Sequence, residues 1–401
     1  MNPTIQLEQR YCAHNYAPLP VVLVRGEGVY VWDDQGKRYL DMMSAYSAVS
    51  HGHCHPRLVR ALSEQAARLA VVSRAFYSDR LAPFLQRLCD ITGFDMALPM
   101  NSGAEAVETA LKAARKWAYT VKGVAPERAE IIACDGNFHG RTIAVVGLSS
   151  EPQYREGFGP FPPGMKRVAY GDAAALEAAI TPDTAAFLVE PIQGEGGIVI
   201  PPVGYLAECA RICKKYNVLL ICDEIQTGMA RTGALFACSH DGVKPDGVVL
   251  GKALGGGLLA VSAFLARREV MEVFQPGDHG STFGGNPLAS AVALEAVNVM
   301  LEDRYAERAA ELGDYFLGRL REINSPLIRE ARGKGLLIGL EVDTVRVSAR
   351  ALCEALMQRG ILSKETHHTV VRFAPPLVIT RQQIDNALDQ IQDTLQAFTV
   401  S

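Results

Sequence analysis

Four short apolar runs pace the middle of the chain, at residues 131–134, 185–189, 218–222 and 247–250. Each is bounded by turn residues, and helical stretches such as residues 206–216 stand between some of them. A run that is apolar throughout, rather than at alternate positions, reads as a strand buried on both faces. Buried strands alternating with helices make an α/β fold with a largely parallel sheet. In such sheets a ligand sits beyond the carboxyl ends of the strands. The residues just past those ends matter first, and they are Glu190, Asp223 and Lys252.

The two ends of the chain read differently. Residues 28–33 form a strand candidate, Asp34-Gln35-Gly36-Lys37 a turn, and residues 38–41 a second strand. From about residue 288 onward, helical patterns flank two more strand candidates, 336–342 and 370–373. The expected organisation is a large domain over residues 46–287. A smaller α+β domain is expected from both ends, residues 1–45 and 288–401.

With 401 residues, 48% apolar and 21% charged, the chain can bury a large core and is neither disordered nor fibrous. A net charge of −4 gives no basic footprint for nucleic acid. The nine cysteines include several inside apolar segments, such as Cys134, Cys222 and Cys238, where a thiol acts as a small hydrophobe. The polar start, Met1 to Arg10, has no apolar core of a secretory signal. A reducing cytoplasm without structural disulfides is expected. Residues 247–266 carry one charge, Lys252, but Gly255, Gly256 and Gly257 interrupt them. Two buried strands joined by a glycine turn fit that segment better than a membrane span.

Three features carry chemistry. Ser102 followed three residues later by Glu105 is a capping box, and apolar residues recur behind it at Ala104, Val107, Leu111, Ala114, Ala118 and Val121. Gly103 beside the cap lets an anion such as phosphate approach the first backbone N–H groups, although the same pattern also serves a plain helix start. Lys252 directly follows an apolar strand, with no acidic residue within five positions. A lysine in an apolar pocket loses basicity and becomes an amine nucleophile for Schiff bases. The alternatives are a snorkelling lysine and a phosphate loop. The loop fails because the glycine spacing is one residue short and Ala253 stands where Ser or Thr is required. Asp223, at a strand's carboxyl end, could pair with a protonated pyridine nitrogen through a charge-assisted hydrogen bond of about 1.5–3 kcal/mol. A phosphate cup, a Schiff-base lysine and an acid for the ring nitrogen are the parts that pyridoxal phosphate needs.

From about Tyr11 to Phe398 the chain resembles the class III pyridoxal-phosphate aminotransferases, within them the ornithine δ-aminotransferase branch. The run Asp223-Glu224-Ile225-Gln226-Thr227-Gly228, then Arg231-Thr232-Gly233, then Lys252 is similar to the class III cofactor signature. The branch is carried by His14-Asn15-Tyr16, Ser44-Ala45-Tyr46-Ser47-Ala48-Val49, Gly136-Asn137-Phe138, Glu190-Pro191-Ile192-Gln193-Gly194-Glu195, His279-Gly280-Ser281-Thr282 and Arg372-Phe373-Ala374-Pro375-Pro376. The resemblance implies fold type I, of the aspartate aminotransferase kind, with a mainly parallel central sheet in the large domain. It also implies a homodimer or higher assembly with a shared active site.

The resemblance assigns roles. Lys252 would hold pyridoxal 5'-phosphate covalently and move the proton, and Asp223 would keep the ring nitrogen protonated. Gln226 would bond the phenolic oxygen and Phe138 would stack on the ring. Ser102, Gly103 and Ala104 would cradle the phosphate, and Thr282 would reach it from the neighbouring subunit. Arg141 would bind the carboxylate distant from the reacting amine, and Arg372 the α-carboxylate of glutamate. Glu195 would mask Arg372 when ornithine is present, since a bare buried charge beside an alkyl chain is costly. Tyr16 and Tyr46 would line the pocket, with Tyr16 meeting the α-ammonium of ornithine. The implied reaction moves the δ-amine of ornithine to 2-oxoglutarate and yields glutamate. Acetylornithine or another ω-amino acid as donor is the alternative. A racemase on the same scaffold would lack the paired arginines, and a non-enzymatic relative would have lost Lys252 or Asp223.

Two positions depart from the branch. His139 stands where tryptophan is frequent, and Phe283 where tyrosine is usual. The cluster His51-Gly52-His53-Cys54-His55 invites a metal reading, but its spacing is too tight and no second ligand pair matches it. A turn before a helix at residues 56–69 is expected, with no metal.

Overall fold

The computed structural model describes residues 2–400. Its centre is a seven-stranded sheet in the order Met96–Met100, Ser262–Ala266, Gly247–Leu250, Leu219–Asp223, Thr184–Val189, Glu130–Cys134 and Met165–Val168. Only Ser262–Ala266 runs antiparallel to its neighbours. The other pairings are parallel. This is the largely parallel, buried sheet expected from the four apolar runs, each of which lies within one residue of an observed strand, and it agrees with the fold type I that the resemblance implies.

Alternation along each strand explains why these runs are apolar throughout. Ile132, Phe187, Leu220 and Val248 face one core, while Ile131, Ala186, Ile221 and Val249 face another across the sheet. Helix Gly103–Trp117 covers the second face with Ala106, Val107, Ala110, Leu111 and Ala114. Each fully buried side chain the size of Leu220 or Phe187 contributes about 1.5–3 kcal/mol.

That helix does not continue its periodicity to Val121. Residues Ala118–Lys122 wind as a π turn, and Val121 is exposed. A π turn takes in an extra residue and rotates the next side chains off the buried stripe. The expected strand at 28–33 is also shorter, beginning only at Tyr30. Gly28, at φ 58, makes the tight turn between Leu23–Glu27 and Tyr30–Asp33.

Two smaller sheets flank the centre. One joins Leu23–Glu27, Tyr30–Asp33 and Arg38–Asp41 with the far-downstream strand Ile361–Leu362. The other joins Ile328–Lys334, Leu337–Val342, Val370–Phe373 and Lys364–Thr366. Arg231 reaches these parts from the centre. Its buried guanidinium donates to the carbonyls of Leu336 (3.0 Å) and Pro375 (2.6 Å) and to Ser50 Oγ (2.9 Å).

Among the described residues all nine cysteines are free thiols, and no helix is long and apolar enough to cross a membrane. The 247–266 segment is the strand Gly247–Leu250, a short 3-10 turn Lys252–Gly255 and the strand Ser262–Ala266. The 51–55 histidines face different partners. His51 Nε2 donates to the Ala296 carbonyl and His53 Nε2 to Asp41 Oδ2.

Candidate active site

The register of the sheet sets three carboxyl ends side by side. Val189 pairs Cys222, Cys222 pairs Val248, and Asp223 pairs Val249. The chain leaves these strands at Glu190, Asp223 and Lys252, which therefore gather at one edge. Lys252 opens its 3-10 turn with φ 46, in the left-handed region. It is half-buried, and burial lowers its pKa. The charges of Glu195, Asp223 and Glu190 oppose that shift, and Arg372 adds to it. An amine kept less basic among carboxylates is a nucleophile and a proton carrier.

Asp223 is buried, and its two oxygens are both engaged. Oδ2 accepts from His139 Nδ1 at 2.7 Å and Oδ1 from the Ile225 N–H at 3.1 Å. His139 is buried as well. Burial pushes its pKa down, but the bond and the charge of Asp223, with the charge of Glu190, leave it raised overall. Its Nε2 has no partner among the described residues. Glu190 accepts from the Phe138 N–H (2.8 Å) and the Gly194 N–H (3.1 Å), so it ties the Phe138 loop to the Glu195 loop. Burial pushes its pKa up to about 7, against the charge of His139.

Helix Gly103–Trp117 begins with the capping box read from the sequence. Ser102 Oγ accepts from the Glu105 N–H, and Glu105 accepts from the Ser102 N–H. Its first N–H groups, at Gly103 and Ala104, have no intrahelical acceptor, as at any helix start. A Cβ on Gly103 would lie 2.9 Å from Ile225 Cδ1, so the cap packs on the turn after Asp223. Gly140, at φ 132, packs against Ala104, where a Cβ would lie 2.9 Å from that side chain. The loop with Phe138 and His139 thus closes over the helix start. Gly194 approaches Gln226 so closely that a Cβ there would overlap the amide.

Two arginines stand in contrasting states. Arg372, buried on strand Val370–Phe373, donates from Nη1 to Glu195 Oε1 at 2.6 Å, and its Nε has no partner among the described residues. Burial raises the pKa of Glu195, but the charge and hydrogen bond of Arg372, with Lys252 and Gln226, hold it below the usual range. The guanidinium lies 5.0 Å from the ring centre of Tyr46. Tyr46 sits in a turn, Ser44–Ser47, whose four residues all have positive φ. Asp41 Oδ1 accepts from the Met43 and Ser44 N–H groups, and Ser44 Oγ donates to the Ala374 carbonyl, which pins the turn. Arg141 is exposed and makes no ion pair among the described residues. Its guanidinium lies 3.6 Å from the ring centre of Tyr154 and 5.4 Å from that of Phe138.

The profile of the aminotransferase class-III family matches residues 11–395. The chain belongs to the class III aminotransferases. It is 57% identical over 388 residues to the ornithine aminotransferase of Geobacillus sp. (strain WCH70), which covers 97% of each chain. The ornithine aminotransferase of Toxoplasma gondii, whose structure shows partial occupancy of PLP at its active site, superposes with a TM-score of 0.98 at 46% identity. That match covers 99% of this chain and 94% of the other. An acetylornithine aminotransferase from Elizabethkingia anophelis superposes at 0.89 with 48% identity, over 98% of each chain.

As a class III aminotransferase the protein uses pyridoxal 5'-phosphate. The residues present fit that group. Gly103 and Gly251 pack against Ile225, which brings the capped helix start beside the turn after Asp223, and that start offers N–H groups to a phosphate. A buried carboxylate backed by His139 suits a protonated ring nitrogen, and Lys252 supplies an amine of lowered basicity.

Most of the site residues expected from the aminotransferase resemblance converge here: Lys252, Asp223, Gln226, Glu195, Arg372, Tyr46, Phe138, Ser102, Gly103 and Ala104. Arg141 joins them through Phe138 and Tyr154. Two are not brought in within the single chain. Tyr16 is 77% exposed. Thr282 is exposed, on a loop whose Ser281 accepts from Asn101 Nδ2. Three residues given no role from sequence contact this cluster: His139 through Asp223, Glu190 through Phe138 and Tyr154 through Arg141. The position of Glu190 after a strand was a usable signal, whereas Tyr154 had none.

Proposed function

We propose that the protein is an ornithine δ-aminotransferase. It transfers the δ-amino group of L-ornithine to 2-oxoglutarate, giving glutamate-5-semialdehyde and glutamate in two half-reactions. The semialdehyde then closes on its own α-amine to pyrroline-5-carboxylate. The carrying observation is the 2.6 Å pair between Glu195 and Arg372, set beside an Arg141 that no carboxylate occupies. A masked cation and an open one let a single pocket take both donors. Arg141 binds the far carboxylate in each half-reaction, as a bidentate guanidinium does well. Glu195 covers Arg372 while an alkyl chain passes, and releases it to the α-carboxylate of glutamate.

When bound, pyridoxal phosphate supplies an electron sink for the carbon attached to the reacting nitrogen. Lys252 holds and moves the proton at that carbon. Asp223 would serve the ring nitrogen, and His139 fixes the orientation of that carboxylate. Gln226 would serve the phenolic oxygen, Phe138 would cover the ring, and Ser102, Gly103 and Ala104 would take the phosphate. Tyr46 and Tyr16 line the substrate entrance. In this reading the protein is cytoplasmic and homodimeric or larger, and Thr282 of one subunit reaches the phosphate of the other. Residues 46–287 form the large domain, while residues 1–45 and 288–401 form the small one. The pairing of Arg38–Asp41 with Ile361–Leu362 supports that division.

The similarity to an acetylornithine aminotransferase favours a second reading, with acetylornithine as donor. A screen separates the two. Purified protein with ornithine and 2-oxoglutarate should yield pyrroline-5-carboxylate, and Lys252→Ala should cut turnover by at least about a hundredfold, the scale of lost general base catalysis. Turnover with acetylornithine or 4-aminobutyrate alone would overturn the ornithine assignment.

A further inference from the structure

Arg141 raises a physical problem. A substrate carboxylate is captured well only by a guanidinium whose plane is already set. Yet Arg141 is exposed and has no carboxylate among the described residues to orient it. What it does have is a ring. Its guanidinium carbon lies 3.6 Å from the ring centre of Tyr154, well inside cation–π range. The Tyr154 ring is itself held edge-on against Phe138, with centroids 6.0 Å apart and planes at 85°. Phe138 is fixed in turn by its N–H bond to the buried Glu190. Tyr154 is half-buried on the short helical turn Pro152–Arg155, and the charges of Glu195 and Arg372 also reach it.

We propose that Tyr154 is the positioning residue of the distal carboxylate site. Its ring holds the guanidinium of Arg141 flat without neutralising it, so the cation stays open to an incoming carboxylate. An acidic partner would orient Arg141 equally well but would compete with the substrate, whereas an aromatic face orients without competing. Phe138 thereby relates the carboxylate site to the cofactor face, because one ring touches both. The inference rests on the reading that Arg141 receives the far carboxylate of each substrate.

The test is a double-mutant cycle on the holoenzyme. Tyr154→Leu should raise the KM for 2-oxoglutarate by about 5–20-fold, the scale of a partly desolvated cation–π contact. Its kcat should stay within about twofold, because the lost contact serves ground and transition states alike. Tyr154→Phe, which keeps the ring face, should recover most of the loss. In an Arg141→Ala background, Tyr154→Leu should add little, because the group it positions is gone. Full additivity in that background, or an unchanged KM in Tyr154→Leu, would overturn the proposal. If the leucine variant does not fold with its cofactor, Tyr154→His, a smaller ring, should give an intermediate KM, and an unchanged one would overturn the proposal equally. The readout is the acceptor's KM with whichever amine donor is turned over. Failure of the ornithine reading would appear separately, as absence of pyrroline-5-carboxylate from the wild type.

Discussion

His139 and Asp223 are joined by a 2.7 Å hydrogen bond from Nδ1 to Oδ2, with both side chains buried. The pairing makes stability depend on pH. A base whose folded pKa is raised gives its full contribution below its unfolded value, near 6.5 for histidine, and loses it as pH rises through the folded value. Glu190, pushed up to about 7, acts in the same direction, since the fold holds its proton more tightly than the unfolded chain does. The cofactor-free protein should therefore lose stability in urea titrations as pH rises from about 4.5 to about 7, where Glu190 gives up its proton, and further above about 6.5, where His139 does, and His139→Asn should flatten that upper part. A wild-type curve that climbs over the interval contradicts the pairing.

Glu195→Gln tests the gate. Without its carboxylate, Arg372 stands as a buried cation beside the alkyl chain of ornithine. Breaking such a pair costs several kcal/mol when fully buried, and the partial exposure of Glu195 reduces this. An about 10–100-fold fall in kcat/KM for ornithine is expected, with glutamate as donor affected far less. Equal losses for both donors in steady-state assays would show that Glu195 does not discriminate between them.

Arg231→Met addresses the joint between the central and flanking sheets. Burial lowers the pKa of Arg231 to about 9, yet its bonds go to carbonyls and hydroxyls rather than to a carboxylate. Its removal strands the carbonyls of Leu336 and Pro375 without donors. Chemical denaturation should show a loss of about 3 kcal/mol, since each unsatisfied buried acceptor costs about 1–3 kcal/mol. A change below about 1 kcal/mol would mean that water replaces the guanidinium.

Ala45→Gly should stabilise. Ala45 is exposed at φ 47 and ψ 53, a conformation that penalises any Cβ. Glycine removes the clash and should add about 1 kcal/mol in denaturant titrations, with KM unchanged. A loss of stability would mean that the turn is less strained than its dihedrals imply.

The legible parts of this protein were those where one residue answers to one rule. Strands buried on two faces must be apolar throughout, and so Gly247–Leu250 lies where the sequence places it. Asp223 and Lys252 stand out because charges rarely follow such strands without a task. What stayed hidden depends on pairs. His139 reads only as an odd neighbour of Phe138 until the fold sets it against Asp223. Tyr154 acquires meaning only from the ring of Phe138 and the cation of Arg141. The left-handed Ser44–Ser47 turn contains no glycine to announce it. Tyr16 and Thr282, read from the resemblance, remain at the surface of one chain.

The bond from Ser44 to the Ala374 carbonyl spans 330 residues of chain. One wall of the candidate site, with Tyr46 on one strip and Arg372 on the other, is thus assembled from stretches far apart in the chain. A polypeptide made only as far as the strand Ser262–Ala266 has every strand of the central sheet and Arg141, but not the Arg372 that pairs Glu195. The Glu195–Arg372 pair therefore closes only after the whole central sheet has been made.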